Sequence, residues 1–503
     1  MSRKYRIPLA GSYNTRTTET NALSSASGIV GLGIVGTMVV GASIQSTDKD
    51  QRYINCFTKA VNNPFTGTKT LYCVKRPGFG VLNTPASGSI GTALLVWTGQ
   101  GSGTKLMTAF GGTNSTLYDG TTSKGAITGK ATQIAETFVS TTPTLLIPST
   151  DSTAWYYDNA VTVAVATKIT DGDFPGNAGY TLAGGFATMD GYNFIMDTTG
   201  NIWNSDVNSV TAWTAANFIN ANSYPDRGVG CIRQKDTIMA FGTESTQFFY
   251  NAGNPTGSPL SRIEPRTLRV GCVGADAITT IEDIVFWAGS SPQGGIHVSM
   301  YSGGGYKKIS TPEIEAILIL AGAANISMTS IELDGSSFVI VNASNVTFVY
   351  GIEEGAWSEW NTTGGRPWYK CAGVSSGSTQ VIYSISNVLT GGKVYTINPS
   401  ALVYQDDGVT FTARIQLSKL GEGESLTFWE ELNVIGDQNT ASSTLTVQFS
   451  DDDYQTWNTA GTVDLANEVR KLNGLGAAYR RAWALVHSDN APMRLESIAG
   501  RLS

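Results

Sequence analysis

Three consecutive carboxylates in the last part of the sequence are the residues best suited to do chemistry. Asp451, Asp452 and Asp453 lie in the segment SDDDYQTW (450–457). Two carboxylates on opposite sides of a glycosidic bond can act as general acid and as base or nucleophile, which makes glycoside hydrolysis the chemistry to consider. Acidic pairs are also common by chance, so a turn with a purely structural role is the other reading of this segment.

The same segment resembles the Asp-box of sialidase-type propellers, roughly S-x-D-x-G-x-T-W. In that motif the carboxylate accepts backbone N–H bonds inside a hairpin turn and the tryptophan packs beneath it. Tyrosine stands here in place of the motif's glycine, and a looser version occurs at 204–213 (NSDVNSVTAW). The resemblance implies a structural, hairpin-stabilising role for the matching residues Ser450, Asp452, Thr456 and Trp457.

Other catalytic patterns are weak or missing. GVSSG at 373–377 has the letters of a nucleophile elbow, but that motif needs a helix after the turn and a later histidine, and here a hairpin is predicted to follow. His297 and His487 are the two histidines, and a hydrogen-bonded strand position is favoured for His297 over a ligand or base. The sequence has no GxxxxGK[ST] loop and no HExxH. We therefore predict no catalytic, cofactor-binding or metal-binding residue, no cofactor, and no enzyme activity.

The cysteines also argue against a metal site. They are scattered and contain no CxxC pair, so a zinc site or a disulfide framework is not predicted. We expect them to be small buried hydrophobic residues in a protein that folds in a reducing cytosol. The five cysteines are Cys56, Cys73, Cys231, Cys272 and Cys371.

Composition predicts the fold class. The chain of 503 residues contains 57 glycines, 20 tyrosines, 18 phenylalanines and 11 tryptophans, but only 15% charged residues. Many glycines and aromatics with few long helical patterns favour an all-β protein with tight turns. With a net charge of −7, the chain is not expected to form a basic surface that reads a DNA sequence.

An apolar, glycine-rich segment at 28–42 (GIVGLGIVGTMVVGA) is shorter than the roughly 20 residues needed to span a bilayer. Buried strands or a packed N-terminal arm are favoured over a membrane-active segment, and no stable membrane insertion is predicted. The sequence shows no export signal, so we expect synthesis in a cytoplasm.

The central region contains a repeat of pattern. Alternating apolar residues flank a Gly, Asn or Ser turn, which is the signature of a β-hairpin. One aromatic per unit recurs at steps of 39, 46, 46, 52, 49 and 45 residues, close to the period of a four-stranded propeller blade. The marker residues are Tyr118, Tyr157, Trp203, Phe249, Tyr301, Tyr350 and Tyr395.

This spacing predicts a six- or seven-bladed β-propeller over residues 85–407, with stacked β-sandwiches as the alternative. One helix is expected within 310–324, where Pro312 stands in the first turn and Gly322 ends the pattern. Longer alternating strands after residue 408 predict a C-terminal β-sandwich over 408–503. Residues 1–84 are expected to form an extended N-terminal arm with platform strands.

Blocks of sequence in a fixed order are similar to the packaged-DNA stabilisation proteins, the tail hub (nozzle) family of short-tailed phages (podoviruses). RYINCF (52–57) and VKRPGF (74–79) resemble the family's N-terminal signature, which includes the turn residues Asn55, Arg76, Pro77 and Gly78. Further blocks run through IWNSDVNSVTAW (202–213), GGIHVSMYSGGGYKKISTPEIEAIL (294–318) and GAWSEW (355–360). Together the blocks cover most of residues 50–503.

The resemblance implies a structural virion protein of the phage tail, made in the host cytoplasm. It implies a ring of copies, expected to be a homohexamer, that extends the DNA channel of the portal and the head-to-tail adaptor. Such a ring retains packaged DNA, carries a distal needle, plug or spikes, and lets genomic DNA pass during ejection without sequence-specific contacts. The acidic net charge fits a channel that repels phosphates.

Two other function classes remain open from the residues alone. One is a glycan-binding or glycosidase-type β-propeller acting at the host surface, which would gather Arg, Asp and Trp side chains at one mouth of the propeller. The other is a cytosolic propeller scaffold unrelated to phages. Neither explains the order of the blocks.

Overall fold

The computed structural model describes residues 3–9, 51–62, 69–99, 103–159, 165–303, 305–361, 368–376, 379–388, 390–420 and 425–502. The glycine-rich segment 28–42, for which buried strands or a packed arm were favoured, lies outside these residues. Within them, no helix combines the length and the apolar character that crossing a bilayer requires.

The chain divides into two compact units that are not contiguous in sequence. The first combines Met1–Phe79, Phe348–Thr363 and Leu402–Ser503, and the second combines Gly80–Thr347 and Gly364–Ala401. The three domains expected from the sequence, 1–84, 85–407 and 408–503, stay a prediction.

Strands account for most of both units, so the predicted all-β class is confirmed. The strands before the repeats are β1 (Arg3–Pro8), β2 (Arg52–Ile54), β3 (Cys56–Asn62), β4 (Lys69–Lys75) and β5 (Gly80–Asn83). The next are β6 (Gly91–Trp97), β7 (Lys105–Phe110), β8 (Ser115–Asp119), β9 (Thr122–Ile127), β10 (Ala135–Val139), β11 (Thr142–Pro148), β12 (Ala154–Asp158), β13 (Thr167–Lys168), β14 (Leu182–Met189), β15 (Tyr192–Asp197), β16 (Asn201–Ser205) and β17 (Trp213–Asn220).

The repeats continue with β18 (Gly228–Gln234), β19 (Thr237–Gly242), β20 (Thr246–Asn251), β21 (Leu260–Leu268), β22 (Gly271–Cys272), β23 (Ile278–Ile281), β24 (Ile284–Ser290), β25 (Ile296–Ser302), β26 (Gly305–Lys308), β27 (Ile326–Leu333), β28 (Ser336–Ala343), β29 (Val346–Gly351), β30 (Ala356–Glu359), β31 (Lys370–Ser376), β32 (Thr379–Ile385) and β33 (Val394–Ile397). The last are β34 (Gln405–Asp406), β35 (Val409–Thr410), β36 (Ala413–Gln416), β37 (Thr427–Gly436), β38 (Thr444–Ser450), β39 (Asn458–Asp464), β40 (Lys471–Asn473), β41 (Ala477–Ala478), β42 (Ala482–His487) and β43 (Arg494–Leu502).

The second unit is a succession of small antiparallel meanders. The strands β6–β9, β10–β13, β14–β17 and β18–β21 each form one sheet in chain order, and β22–β26 form another. The sheet of β31–β33 takes β5 as its fourth strand, from the other end of the unit. Neighbouring sheets contact one another through their early strands. These contacts run from β10 to β14 and on to β18, from β23 to β27 and on to β31, and from β31 back to β6. Successive meanders joined in this way are the arrangement of a β-propeller, as predicted.

Local turn chemistry explains the hairpins. Asp190 and Gly191 form the two-residue loop between β14 and β15, and both have positive φ (54° and 82°). Asp334 and Gly335 do the same between β27 and β28, with φ of 54° and 73°. Such loops need positive φ at both positions, which Asp-Gly adopts at low cost. The turn residues therefore fix where each strand reverses.

The predicted helix is present as α1 (Pro312–Ala321), with Thr311 at the N-cap and Gly322 at the C-cap. Ile314 and Leu318 are its buried residues. The Thr311 hydroxyl makes no capping hydrogen bond, so Pro312 and the acidic residues of the first turn stabilise the start of the helix.

The first unit contains two sheets that share one core. One runs β3-β4-β43-β37-β40, with β1 beside β43, and the strands β30-β2-β36-β42-β38-β39 pair in the other. Inward-facing residues of both sheets form one buried cluster, which includes Tyr53, Ile415, Trp429, Trp483 and Ile498. The predicted C-terminal strands are thus packed together with β2, β3 and β4 from the N-terminal region.

Candidate functional site

Arg76 is the centre of a buried polar cluster in the first unit. Its side chain has no solvent exposure, and it forms a two-armed ion pair with Asp406, at 3.0 Å from Nη1 to Oδ1 and 2.6 Å from Nη2 to Oδ2. The other N–H groups donate to Asn55 Oδ1 (2.9 Å), to the Pro77 carbonyl (3.1 Å) and to the Asn361 carbonyl (3.0 Å). All five guanidinium donors therefore have acceptors, which is what a buried arginine requires.

The other residues of the predicted signature turn surround Arg76. Asn55 has φ of 54°, a left-handed conformation that asparagine tolerates well. Its amide group donates to the Thr412 carbonyl at 2.8 Å. Gly78 lies so close to Gln405 that a Cβ would collide with the Gln405 carbonyl oxygen. Close packing of backbone against backbone at this point explains the glycine.

A second buried cation lies beside the cluster. Lys75 Nζ donates to the Asp489 carbonyl at 2.7 Å and is 3.2 Å from His487 Nδ1. Burial, and then the nearby Arg76, lower the pKa of Lys75 to about 8. Burial and the Lys75 charge lower the pKa of His487 to about 4, so this imidazole is neutral at neutral pH. The later histidine that a nucleophile elbow would need is therefore a core residue.

The segment 450–457 forms a turn organised by Asp452. Asp452 Oδ1 accepts the Ser450 hydroxyl at 2.8 Å and the Thr456 backbone N–H at 3.0 Å, and Oδ2 accepts the Thr456 hydroxyl at 2.5 Å. The Arg414 guanidinium lies 4.4 Å from the centre of the Trp457 ring. Three of the residues matched to the Asp-box, Ser450, Asp452 and Thr456, are thus joined by hydrogen bonds, and the fourth, Trp457, contacts an arginine.

We expect this turn to respond to acid. Hydrogen bonds from Thr456, and then from Ser450, lower the pKa of Asp452 from its usual value near 3.8 to about 2. Because the folded-state pKa is depressed, the contribution of Asp452 to stability is present above pH 4 and is lost as the pH falls toward 2. The melting temperature of Asp452→Asn should lie below that of the wild type at pH 7, and this difference should shrink between pH 4 and pH 2. A difference that does not change with pH would contradict the assignment.

Two further turns of this kind were missed by the sequence analysis. Asp197, which is fully buried, accepts the Thr199 and Asn201 backbone N–H groups at 2.8 and 3.1 Å and the Trp203 indole N–H at 2.9 Å. Asp151 accepts the Thr153 hydroxyl at 2.7 Å and binds the Ser149 hydroxyl. The available signal was an aspartate between two strands, followed four to six residues later by a tryptophan.

A cleft of about 620 Å³ opens beside the Asp452 turn and includes Asp451, Asp453, Lys419 and Arg480 in its lining. Arg481 holds Asp451 with two contacts of 2.7 Å, and Lys419 pairs with Asp453. A general acid needs a raised pKa, whereas Asp452 has a lowered one. The three carboxylates are engaged in ion pairs or in the turn itself, which does not favour the glycosidase alternative.

A polar network joins three separate segments of the second unit. Asp276, in a 3₁₀ turn between β22 and β23, accepts Lys370 Nζ at 3.0 Å and the Tyr369 hydroxyl at 3.0 Å. Burial opposes ionisation of Asp276, but Lys370 and Tyr369 still hold its pKa below the usual value. The Lys130 ammonium lies 5.9 Å from the Tyr369 ring centre. The 3₁₀ turn also contacts β14, β18 and β27, so this network ties sheets together.

The remaining candidates have structural surroundings. His297 lies on β25 with Nε2 3.0 Å from the Tyr306 hydroxyl oxygen, and burial lowers its pKa. Residues 373–376 of the GVSSG segment lie on β31, which pairs with β32, and not at a strand-to-helix turn. Burial raises the pKa of the Cys231, Cys272 and Cys371 thiols to about 12. Among the described residues, no three His, Cys, Asp or Glu side chains gather as a metal site would need.

Comparisons with solved structures find matches of low similarity. Raptor from Chaetomium thermophilum is 11% identical with a TM-score of 0.40, and the match covers 64% of this chain and 28% of Raptor. The N-terminal domain of Nup159 is 7% identical with a TM-score of 0.41, covering 69% and 98%. An ancestral GH74 enzyme is 11% identical with a TM-score of 0.41, covering 70% and 52%. No curated protein matches the chain.

A family model gives a much clearer result. The model of the phage-stabilisation family, described as "Bacteriophage P22 Gp10, beta-propeller", matches residues 103–383. This range begins just before β7 and ends within β32, so it covers most of the meander sheets. The sheet arrangement of the second unit and the family's β-propeller agree, and the chain belongs to this family of structural phage proteins.

Proposed function

We propose that this protein is a tail hub (nozzle) of a short-tailed phage. Several copies, expected to be six, form a ring below the portal and the head-to-tail adaptor. The ring extends the DNA channel, retains packaged DNA, and carries a distal needle, plug or spikes until genome ejection. The observation that carries the proposal is the family match over residues 103–383.

Features of the second unit support a mechanical role. Small sheets follow one another, and the last contacts the first through β31 and β6. The strand β5, which lies at the start of the unit in sequence, pairs with β33 and completes the final sheet. Counting the β27–β28 hairpin as one module gives seven modules, which favours the seven-bladed form of the prediction. Propeller sheets protect one another's edges, and this suits a protein that must remain folded under load.

The charge of the chain supports a channel through which DNA slides. A net charge of −7 per copy places surplus carboxylates in any ring built from it. Like charges repel the phosphate backbone, so DNA would pass without sticking and without sequence-specific contacts.

Electron microscopy of phage tails tests the proposal. We expect class averages of wild-type tails to show a ring of this protein with rotational symmetry and an axial hole. Particles that lack the protein should release their DNA, measured as nuclease-sensitive genome, while particles with the protein should protect it. A two-fold dimer in the tail, or full DNA retention without the protein, would overturn the proposal.

A further inference from the structure

Two arginines share one face of a sheet in the first unit. Arg52 on β2 pairs through the backbone with Gln416 on β36, and Arg414 stands two residues before Gln416. Side chains two residues apart on a strand point the same way, so both arginines lie opposite the buried Tyr53 and Ile415. Both are half-buried.

Arg414 is held in place by neutral groups. Its Nη1 donates to Gln448 Oε1 at 2.8 Å, and its Nε is 3.4 Å from Gln416 Oε1. The guanidinium stacks on Trp457, 4.4 Å from the ring centre. Burial, and then the Arg52 charge, lower the pKa of Arg414. These contacts orient the guanidinium without neutralising it.

Arg52 is the less satisfied of the two. Its Nε is shielded from solvent and has no hydrogen-bond partner within the described part of the chain. Across the same described ranges, neither Arg52 nor Arg414 takes part in an ion pair. Two more deeply buried arginines of this unit, Arg76 and Arg481, differ, because each has a two-armed contact with an aspartate.

We propose that Arg52 and Arg414 together bind a carboxylate side chain from a second copy of this chain. The planar guanidinium group matches the geometry of a carboxylate, and the ion pair between them is strongest where water is partly excluded. Two neighbouring positive charges that are half removed from water are costly until an anion arrives. The contacts with Gln448 and Trp457 fix Arg414 in advance, which lowers the entropy cost of binding.

A second copy is the favoured source of the carboxylate because of charge complementarity. Each copy has 40 Asp and Glu residues against 33 Lys and Arg residues, so it offers acidic groups in excess. The inference rests on the proposed ring, since it names one contact that would join its copies. DNA is the competing anion, and the test below distinguishes the two.

Sedimentation velocity over a concentration series tests the contact in the full-length protein. We expect Arg52→Gln with Arg414→Gln to need at least tenfold higher concentration to assemble than the wild type. Raising the salt concentration should weaken wild-type assembly more than that of the double variant, because an ion pair is screened. Arg266→Gln is the matched control, because it removes one exposed arginine from β21 in the other unit and should assemble like the wild type.

The single variant Arg52→Gln separates a loss of assembly from a loss of folding. Its Nε has no partner to lose, so the melting temperature should stay at or above that of the wild type while assembly weakens. Equal assembly of both arginine variants and the wild type would overturn the inference without contradicting the proposed ring. A wild type that never assembles would overturn both. Loss of binding to a fluorescent DNA duplex, with assembly unchanged, would assign the site to phosphate and also overturn it.

Discussion

Arg76→Ala is expected to lower the free energy of unfolding of the first unit by about 3–5 kcal/mol, the usual cost of breaking a buried ion pair. The change leaves Asp406 as an unpaired carboxylate with little solvent access. It also removes the N–H groups whose hydrogen bonds are accepted by Asn55 and by the carbonyls of Pro77 and Asn361. Hydrogen-exchange mass spectrometry across a urea series would measure the loss on peptides from β2, β4 and β36.

Lys471→Ala is the matched control in the same unit. Lys471 pairs with Glu431 at 2.9 Å, but the lysine is exposed and the glutamate partly exposed (43% and 32%). Surface pairs contribute about 0–1 kcal/mol, so this variant should unfold almost like the wild type. Equal losses in the two variants would show that Arg76 is not a stabilising centre.

Asp197→Asn is expected to lower the free energy of unfolding of the second unit by about 2–3 kcal/mol, because buried hydrogen bonds to a charged acceptor are strong. The carboxylate accepts backbone, amide and indole N–H groups and the Thr199 hydroxyl. The side-chain NH2 group of asparagine would face some of these N–H and O–H groups, and two donors cannot form a hydrogen bond with each other. Urea unfolding followed by exchange of peptides from β15 and β16 would measure the effect.

Asp190→Asn provides the control for Asp197. Asp190 is an exposed turn residue with φ of 54°, a conformation that asparagine adopts readily. The substitution is chemically the same and lies seven residues earlier, yet it should change stability by less than about 0.5 kcal/mol. If Asp190→Asn cost as much as Asp197→Asn, the burial of the Asp197 carboxylate would not be the cause.

The hairpins show how much of the fold the sequence predicts. The predicted hairpins marked by Trp203, Phe249 and Tyr395 correspond to β15–β16, β19–β20 and β32–β33. Each depends on alternation over a few residues and on a turn residue, which are local properties. The Asp452 turn was predictable for the same reason, because the groups that bind its carboxylate lie within four residues of it.

The amino-acid sequence alone thus determined the all-β class, the propeller repeat, the helix α1 and the Asp452 turn. Only the tertiary structure decided that β5 completes the sheet of β31–β33, that β2, β3 and β4 join the C-terminal strands, and that Arg76 meets Asp406, 330 residues away. Alternation and turn residues act between neighbours along the chain, so they leave a pattern in the letters. Which distant strand or charge supplies a partner depends on how the whole chain buries its apolar faces, and no local pattern records that choice.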